Sequence, residues 1–182
     1  MRFIEAPLKG LMIVEPAVFK DERGHFFESY NRQVFEQNGL NLDFVQDNQS
    51  FSKKHALRGL HFQSGEAAQA KLVRVIQGSV LDVVVDIRPD SHTFLKHFSI
   101  ELTAMNFKQL LIPRGFAHGF LTLSETAVFS YKCDNLYSKA HDRGIRFDDP
   151  EIAINWPAPV SQFIISEKDK ALPKISEIRK EL

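Results

Sequence analysis

Three short stretches carry side chains that resist burial inside runs that otherwise read as buried strands: "LRGLHFQ" (57–63), "PRGFAHGF" (113–120) and "AVFSYK" (127–132). A fourth, "KLVRVIQ" (71–77), opens on a lysine. Brought to one cavity, an imidazole, an ammonium and a phenol could remove a proton from carbon beside a carbonyl and return it on the other face. Such a proton is far less acidic than imidazolium, whose unperturbed pKa is about 6.5, so the base alone is insufficient and the developing oxyanion needs a preorganised cation. A histidine of these strands would be the base, with Lys71 suited to be the cation beside the oxygen and Tyr131 the candidate donor. Each also has a plainer reading: His61 as a hydrogen-bonded strand histidine, Tyr131 as a core aromatic with its hydroxyl satisfied.

The same residues raise a second chemistry. Pro113-x-Gly115-x-x-His118 resembles the second sequence motif of the cupin barrels, which often hold a metal at the barrel mouth, and His61 with His118 would then be ligands. A cupin metal site normally draws on a His-x-His pair and a carboxylate. Here the pair is "HFQ", Gln63 replaces the second histidine and the Lys71 ammonium is close in sequence to the site. Two imidazoles, a weak amide oxygen and a cation make a poor cage for a divalent ion, so no metal is expected.

Short strands must position these groups. "KLVRVIQ" leads through Gly78 into "SVLDVVVDI" (79–87), a hairpin signal; "KQLLI" (108–112), "HGFLTL" (118–123) and "TAVFSYK" (126–132) follow at similar spacing. With hardly any helical period between them, they indicate an all-β sandwich or closed barrel. Helix signals sit at the edges, with Ser29 a candidate cap for "YNRQVFEQN", Gly39 just past its end, and a last helix in "ISEIRKEL". Strand parity puts His61 and Gln63 on one face and Arg58 on the other, unless Gly59 forms a bulge that re-aims the arginine.

Length and composition bound the class. The 182 residues suit one domain, and no linker or repeat divides them. Lys+Arg and Asp+Glu both number 23, so no excess positive field exists to hold nucleic acid or an anionic membrane. Cys133 is the one cysteine, which excludes an internal disulfide and a cysteine-built zinc site. The start, "MRFIEAPLKGLMIVEP", makes neither a convincing signal peptide nor a membrane span, and a cytoplasmic protein is expected.

Seven stretches, "FKDERGHFFESY" (19–30), "FVQDNQSFSKKHALRGLHFQ" (44–63), "QAKLVRVIQGSVLDVVVDIR" (69–88), "SHTF" (91–94), "LIPRGFAHGFLTLS" (111–124), "YKCDNLY" (131–137) and "GIRFDDPEIAINWP" (144–157), closely resemble the dTDP-4-dehydrorhamnose 3,5-epimerase family in family order. The resemblance implies a cupin-type jelly roll with its core at about residues 44–157, an N-terminal dimer-forming segment and a C-terminal helical tail. It implies a homodimer without metal or organic cofactor, acting on the 4-keto-6-deoxy sugar of a dTDP nucleotide and inverting carbons 3 and 5.

By matching position, His61 would be the base, Tyr131 the donor, and Asp169 would sit behind His61 and raise its basicity. Ser166-x-x-Asp169 reads equally as a helix capping box, and both can hold. Arg23, Arg58 and Lys168 would meet the diphosphate. Gln46 and Asn48 would reach thymine or ribose, Phe19 and Tyr137 would stack on the base, and Glu28 and His118 would line the pocket. In the family the segment around residues 19–28 enters the neighbouring subunit's pocket. His97 and Phe147 stand where members often have tryptophan, and Asp142 where a nucleotide-touching glutamate is common. Relatives that invert one carbon only, a metal-dependent cupin and a non-catalytic sugar- or nucleotide-binding barrel are the alternatives.

Overall fold

The valine-rich middle of the chain folds into the strands that its short apolar runs and turn signals predict, and they build two facing sheets. The computed structural model describes residues 1–182, the side chain of residue 181 excepted. In chain order the strands are β1 (Arg2–Glu5), β2 (Met12–Glu15), β3 (Phe19–Asp21), β4 (Gly24–Phe26), β5 (Gln46–Lys53), β6 (Ala56–Gln63) and β7 (Lys71–Gln77). There follow β8 (Ser79–Asp86), β9 (His97–Thr103), β10 (Gln109–Ile112), β11 (Phe116–Thr122), β12 (Thr126–Cys133), β13 (Asp142–Gly144) and β14 (Ile164–Ile165). The α-helices are short: α1 (Arg32–Gln37), α2 (Glu167–Lys170) and α3 (Ile175–Ile178).

One sheet runs β1-β2-β10-β7-β12-β5, the other β13-β6-β11-β8-β9 with β14 added parallel to β6. Between them lies a core that includes Val73, Val84, Leu102, Leu110, Phe120 and Phe129. This is the expected all-β jelly roll of cupin type with short peripheral helices. It takes in strands ahead of residue 44, because Ile13 and Val14 of β2 pair with Leu110 and Gln109 of β10. The tail lays Ile145, Ile152 and Ile175 over Leu60, Phe62 and Val83 on the outer face of the second sheet. β3 and β4 form a separate two-stranded ribbon, with the "DERG" turn (21–24) at its tip.

The Arg58 question is answered by register. On β11, His118 pairs with His61 and Phe120 with Arg58, so two steps on one strand match three on the other. Gly59 and Leu60 supply the extra residue, and the peptide joining them is cis. Leu57 and Leu60 both reach outward-facing apolar clusters, while Arg58 and His61 both turn to the interior. Glycine is required here: φ is +115° and an added Cβ would lie 2.7 Å from Gly119 Cα and 2.8 Å from the His118 carbonyl oxygen. Both are backbone atoms and cannot swing aside. Gly59→Ala is expected to cost roughly 3 kcal/mol and lower Tm by roughly 6–12 °C in a chain of this size, measured by thermal unfolding. A wild-type Tm would contradict that reading.

The first helix corrects one expectation. Its N-cap is Asn31, whose side chain accepts from the Val34 N–H at 3.3 Å, whereas the Ser29 carbonyl accepts from Gln109 Nε2. The loop after β8 is held by Asp86, which accepts from Arg88, Ser91 and Thr93. Burial would raise that carboxyl, but these bonds outweigh it and pull the pKa down to about 2. The stabilisation, about 2 kcal/mol, is complete above the unfolded value near 4 and is lost as pH falls from about 4 towards 2. Asp86→Asn is therefore expected to destabilise at pH 7 but scarcely at pH 2, by urea unfolding at both.

Candidate active site

Between the sheets opens a cavity of about 440 Å³, within the size range of ligand clefts. The second sheet contributes Arg58 and His61 from β6 and His118 and Phe120 from β11. The facing sheet contributes Asn48 from β5, Lys71 from β7 and Phe129 and Tyr131 from β12. Tyr131 is the Cα partner of Asn48 and Val73, and Lys71 of Cys133, so these inward rows are fixed by the ladder. Tyr137, Asp142 and Lys168 stand on the cavity wall from the loop after β12, the start of β13 and α2.

His61 and Asp169 form a dyad. His61 Nε2 lies 2.8 Å from Asp169 Oδ1, while Asp169 Oδ2 accepts the Gly59 N–H at 3.1 Å, so the bulge anchors the carboxylate as well as re-aiming the strand. Ser166 caps α2 by accepting from the Asp169 N–H; the capping box and the dyad therefore coexist. Burial opposes ionisation of Asp169, but His61, the Gly59 N–H and Ser166 together hold its carboxyl below the ordinary range. With Nε2 engaged, the other imidazole nitrogen, Nδ1, is left for the cavity.

Lys71 Nζ has no ion pair or hydrogen bond among the described residues; it stands 6.0 Å from the centroid of the Tyr131 ring. Burial pulls its ammonium below the ordinary lysine range, against Cys133, Asp142 and Asp82. Burial likewise pushes the Tyr131 phenol above the ordinary tyrosine range, with Arg58 pulling the other way. The phenol therefore keeps its proton at neutral pH, which suits a donor. Cys133 is fully buried and burial lifts its thiol to about 11, so it is a packing residue.

At the rim, Arg58 is aimed by Ser52 Oγ, 3.0 Å from Nε, and by the Phe51 carbonyl. Asp142 accepts from Lys168 Nζ at 2.5 Å, from Tyr137 OH at 3.1 Å and from Gln63 Nε2 at 3.4 Å. The Lys168 pKa is raised by that hydrogen bond. Gln63, where a metal cupin would have its second histidine, takes the Ser138 N–H on its carbonyl oxygen. Among the described residues no cluster of three or more His, Cys, Asp or Glu side chains is arranged to hold a metal.

Other expected residues lie off this wall. Gln46 accepts the Tyr137 N–H and donates to Asn48, so its amide ties two cavity residues together. Phe19 and Arg23 are on the β3–β4 ribbon beside a separate hollow, and Glu28 accepts from Asn31 near the start of α1. Asp82 was not foreseen. It is fully buried and meets His118 Nε2 at 2.9 Å. The signal was present in "SVLDVVVDI", a carboxylate inside a valine run.

Residues 5–177 match the family model described as dTDP-4-dehydrorhamnose 3,5-epimerase. The protein of that name from Salmonella typhimurium strain LT2 is 52% identical over 179 residues, 97% of each chain. A solved structure of the dTDP-4-dehydrorhamnose 3,5-epimerase from Elizabethkingia anophelis NUHP1 aligns with a TM-score of 0.92 at 51% identity, covering 97% of each chain. That of the Legionella pneumophila Philadelphia 1 dTDP-6-deoxy-D-glucose-3,5-epimerase, in complex with dTDP-4-keto-L-rhamnose, aligns with a TM-score of 0.94 at 43% identity, covering 99% of this chain and 95% of that one. With half its residues shared along nearly its whole length, and its dyad, ammonium and phenol around one cavity, the chain belongs to the dTDP-4-dehydrorhamnose 3,5-epimerase family.

Proposed function

We propose that this chain is a dTDP-4-dehydrorhamnose 3,5-epimerase, which inverts carbons 3 and 5 of dTDP-4-keto-6-deoxy-D-glucose to give dTDP-4-keto-L-rhamnose. One observation carries the reading: His61 and Tyr131 come from opposite sheets and face the same cavity. Inversion at carbon needs a base on one face and an acid on the other. His61 Nδ1 takes the proton next to the keto group, and Asp169 steadies the imidazolium that forms. The electron pair moves onto the C4 oxygen, where the unpaired Lys71 ammonium meets it in a site of low dielectric. Tyr131 then returns a proton from the far face; His61 releases its proton to solvent and the Tyr131 phenolate takes one back, and only then is the cycle repeated at the second carbon.

Arg58 and Lys168 suit the diphosphate, Tyr137 the thymine face, and Asn48 the thymine or ribose edge. Gln46 serves by holding Tyr137 and Asn48, and Asp142 by holding Lys168 and Tyr137. The chain works as one domain in the cytoplasm, without a metal or organic cofactor. The decisive experiment is incubation of the 4-keto substrate in deuterated water. Label at carbons 3 and 5 is expected; label at one carbon selects a single epimerase, and none refutes the reading.

The same reading makes the protein a homodimer whose β3–β4 ribbon brings Phe19, Arg23 and Glu28 to the cavity of the partner. Phe19 and Phe26 are cross-strand partners and each is 67% exposed, an apolar pair that a neighbouring subunit would cover. Co-expressing His61→Ala with Arg23→Ala chains is expected to restore roughly a quarter of wild-type activity, since half the dimers are hybrids with one intact site. Failure to recover activity in a proven hybrid would remove the ribbon from the neighbouring site.

A further inference from the structure

We propose that Asp82 is a positioning residue for the epimerisation: it fixes the His118 imidazole through Nε2, so that Nδ1 is presented to the hexose beside His61. The inference rests on the function proposed above and adds a residue to its machinery. Around Asp82, β8 buries Val80, Val83, Val84 and Val85 completely, and the Cα partners of Asp82 are Phe120 and Ile100. A carboxylate in such surroundings is costly and calls for a specific partner. Its one hydrogen bond among the described residues goes to His118; the other oxygen, Oδ1, is buried without any.

Comparison with two other buried carboxylates separates this role from folding. Asp86 gathers a loop through Arg88, Ser91 and Thr93, and Asp149 ties the nearby N–H groups of Glu151 and Ile152 to that of Ile175, 26 residues away. Asp82 gathers nothing. Its bond joins β8 to β11, which are already laddered from Phe116 to Thr122. What the bond changes is the ring of His118. Phe129 stacks on that ring, with centroids 6.0 Å and planes 24° apart, and so sets its plane. Asp82 then decides which nitrogen carries the proton, because a carboxylate oxygen accepts from Nε2–H. His118 is the direct Cα partner of His61, so two imidazoles stand side by side, each ordered by its own buried carboxylate. An imidazole free to flip would offer the sugar a donor and an acceptor by turns, and misplace the ring over the base.

The test combines ¹⁵N NMR of histidine-labelled protein with steady-state epimerisation by wild type, Asp82→Asn and Asp82→Leu. In wild type, His118 Nε2 is expected to be protonated. Asparagine keeps an accepting oxygen and should preserve that pattern, with kcat within about tenfold of wild type. Leucine removes the acceptor; kcat should fall about 100-fold while dTDP affinity stays within about twofold. A purely structural carboxylate would alter Tm and leave kcat per folded molecule unchanged. An unprotonated Nε2 in wild type overturns the proposal even if the variants do not fold, and so does wild-type kcat in folded Asp82→Leu. If wild type exchanges no sugar hydrogens, the proposed function fails separately, and the NMR pattern still decides the Asp82–His118 geometry.

Discussion

His61→Ala lowers kcat for epimerisation by about 10³-fold or more and abolishes deuterium uptake at the sugar carbons, while dTDP binds within about twofold of wild type. The split follows from where the imidazole sits. Arg58, Lys168 and Tyr137, the groups suited to the nucleotide, reach the cavity from the strand start, α2 and the loop after β12, and none of them is hydrogen-bonded to His61. Truncation removes the base and leaves those contacts standing. Asp169 retains the Gly59 N–H and Ser166, so the variant should fold. Calorimetry with dTDP and mass spectrometry of the sugar in deuterated water measure the two halves separately. Equal loss of affinity and exchange in a folded variant would move His61 from the chemistry to substrate binding.

Tyr131→Phe should uncouple exchange from inversion. The ring packs 6.2 Å from Phe129 and 6.0 Å from the Lys71 ammonium, and the hydroxyl makes no hydrogen bond among the described residues. Removing one oxygen therefore opens no cavity and strands no partner, and stability should change little. The base and the ammonium remain, so the proton still leaves the carbon. Its return from the far face lacks a donor. Recovered substrate should carry deuterium with its configuration retained, and epimer yield should fall about 100-fold. An unchanged yield would exclude Tyr131 as the donor.

Much of this was legible where strands follow the usual pattern of apolar side chains facing in. The runs 71–77, 79–87 and 126–132 are mostly apolar, β-branched or aromatic and are bounded by turn signals, and the structure returns them nearly residue for residue. β5 was not legible, because its pattern is reversed: Gln46, Asn48, Ser50 and Ser52 face inward while Phe51 is 59% exposed. "QDN" consequently reads as a loop. A cavity lined by polar groups erases the signal that locates its own wall.

The same limit explains the amides and carboxylates. His61 and Asp169 are 108 residues apart and meet only because β14 runs beside the start of β6 before α2 begins. No spacing rule connects them; family likeness did. Likeness also named Gln46 and Asp142 as nucleotide contacts; their side chains hydrogen-bond Tyr137, Asn48 and Lys168 at the rim, a tie that no spacing in the sequence reveals. Asp82 escaped for a different reason. A single acid among valines is visible, but its partner on another strand is not.

The added residue at Gly59 makes interval length more informative than identity. A pleated chain counts in twos, so an arginine and a histidine three apart can share one chamber only if the count is reset between them. Any homologous segment with that odd interval must break its rhythm somewhere inside it; one with an even interval need not. Aligned without a gap, two such segments would be compared wrong side up from that point onward.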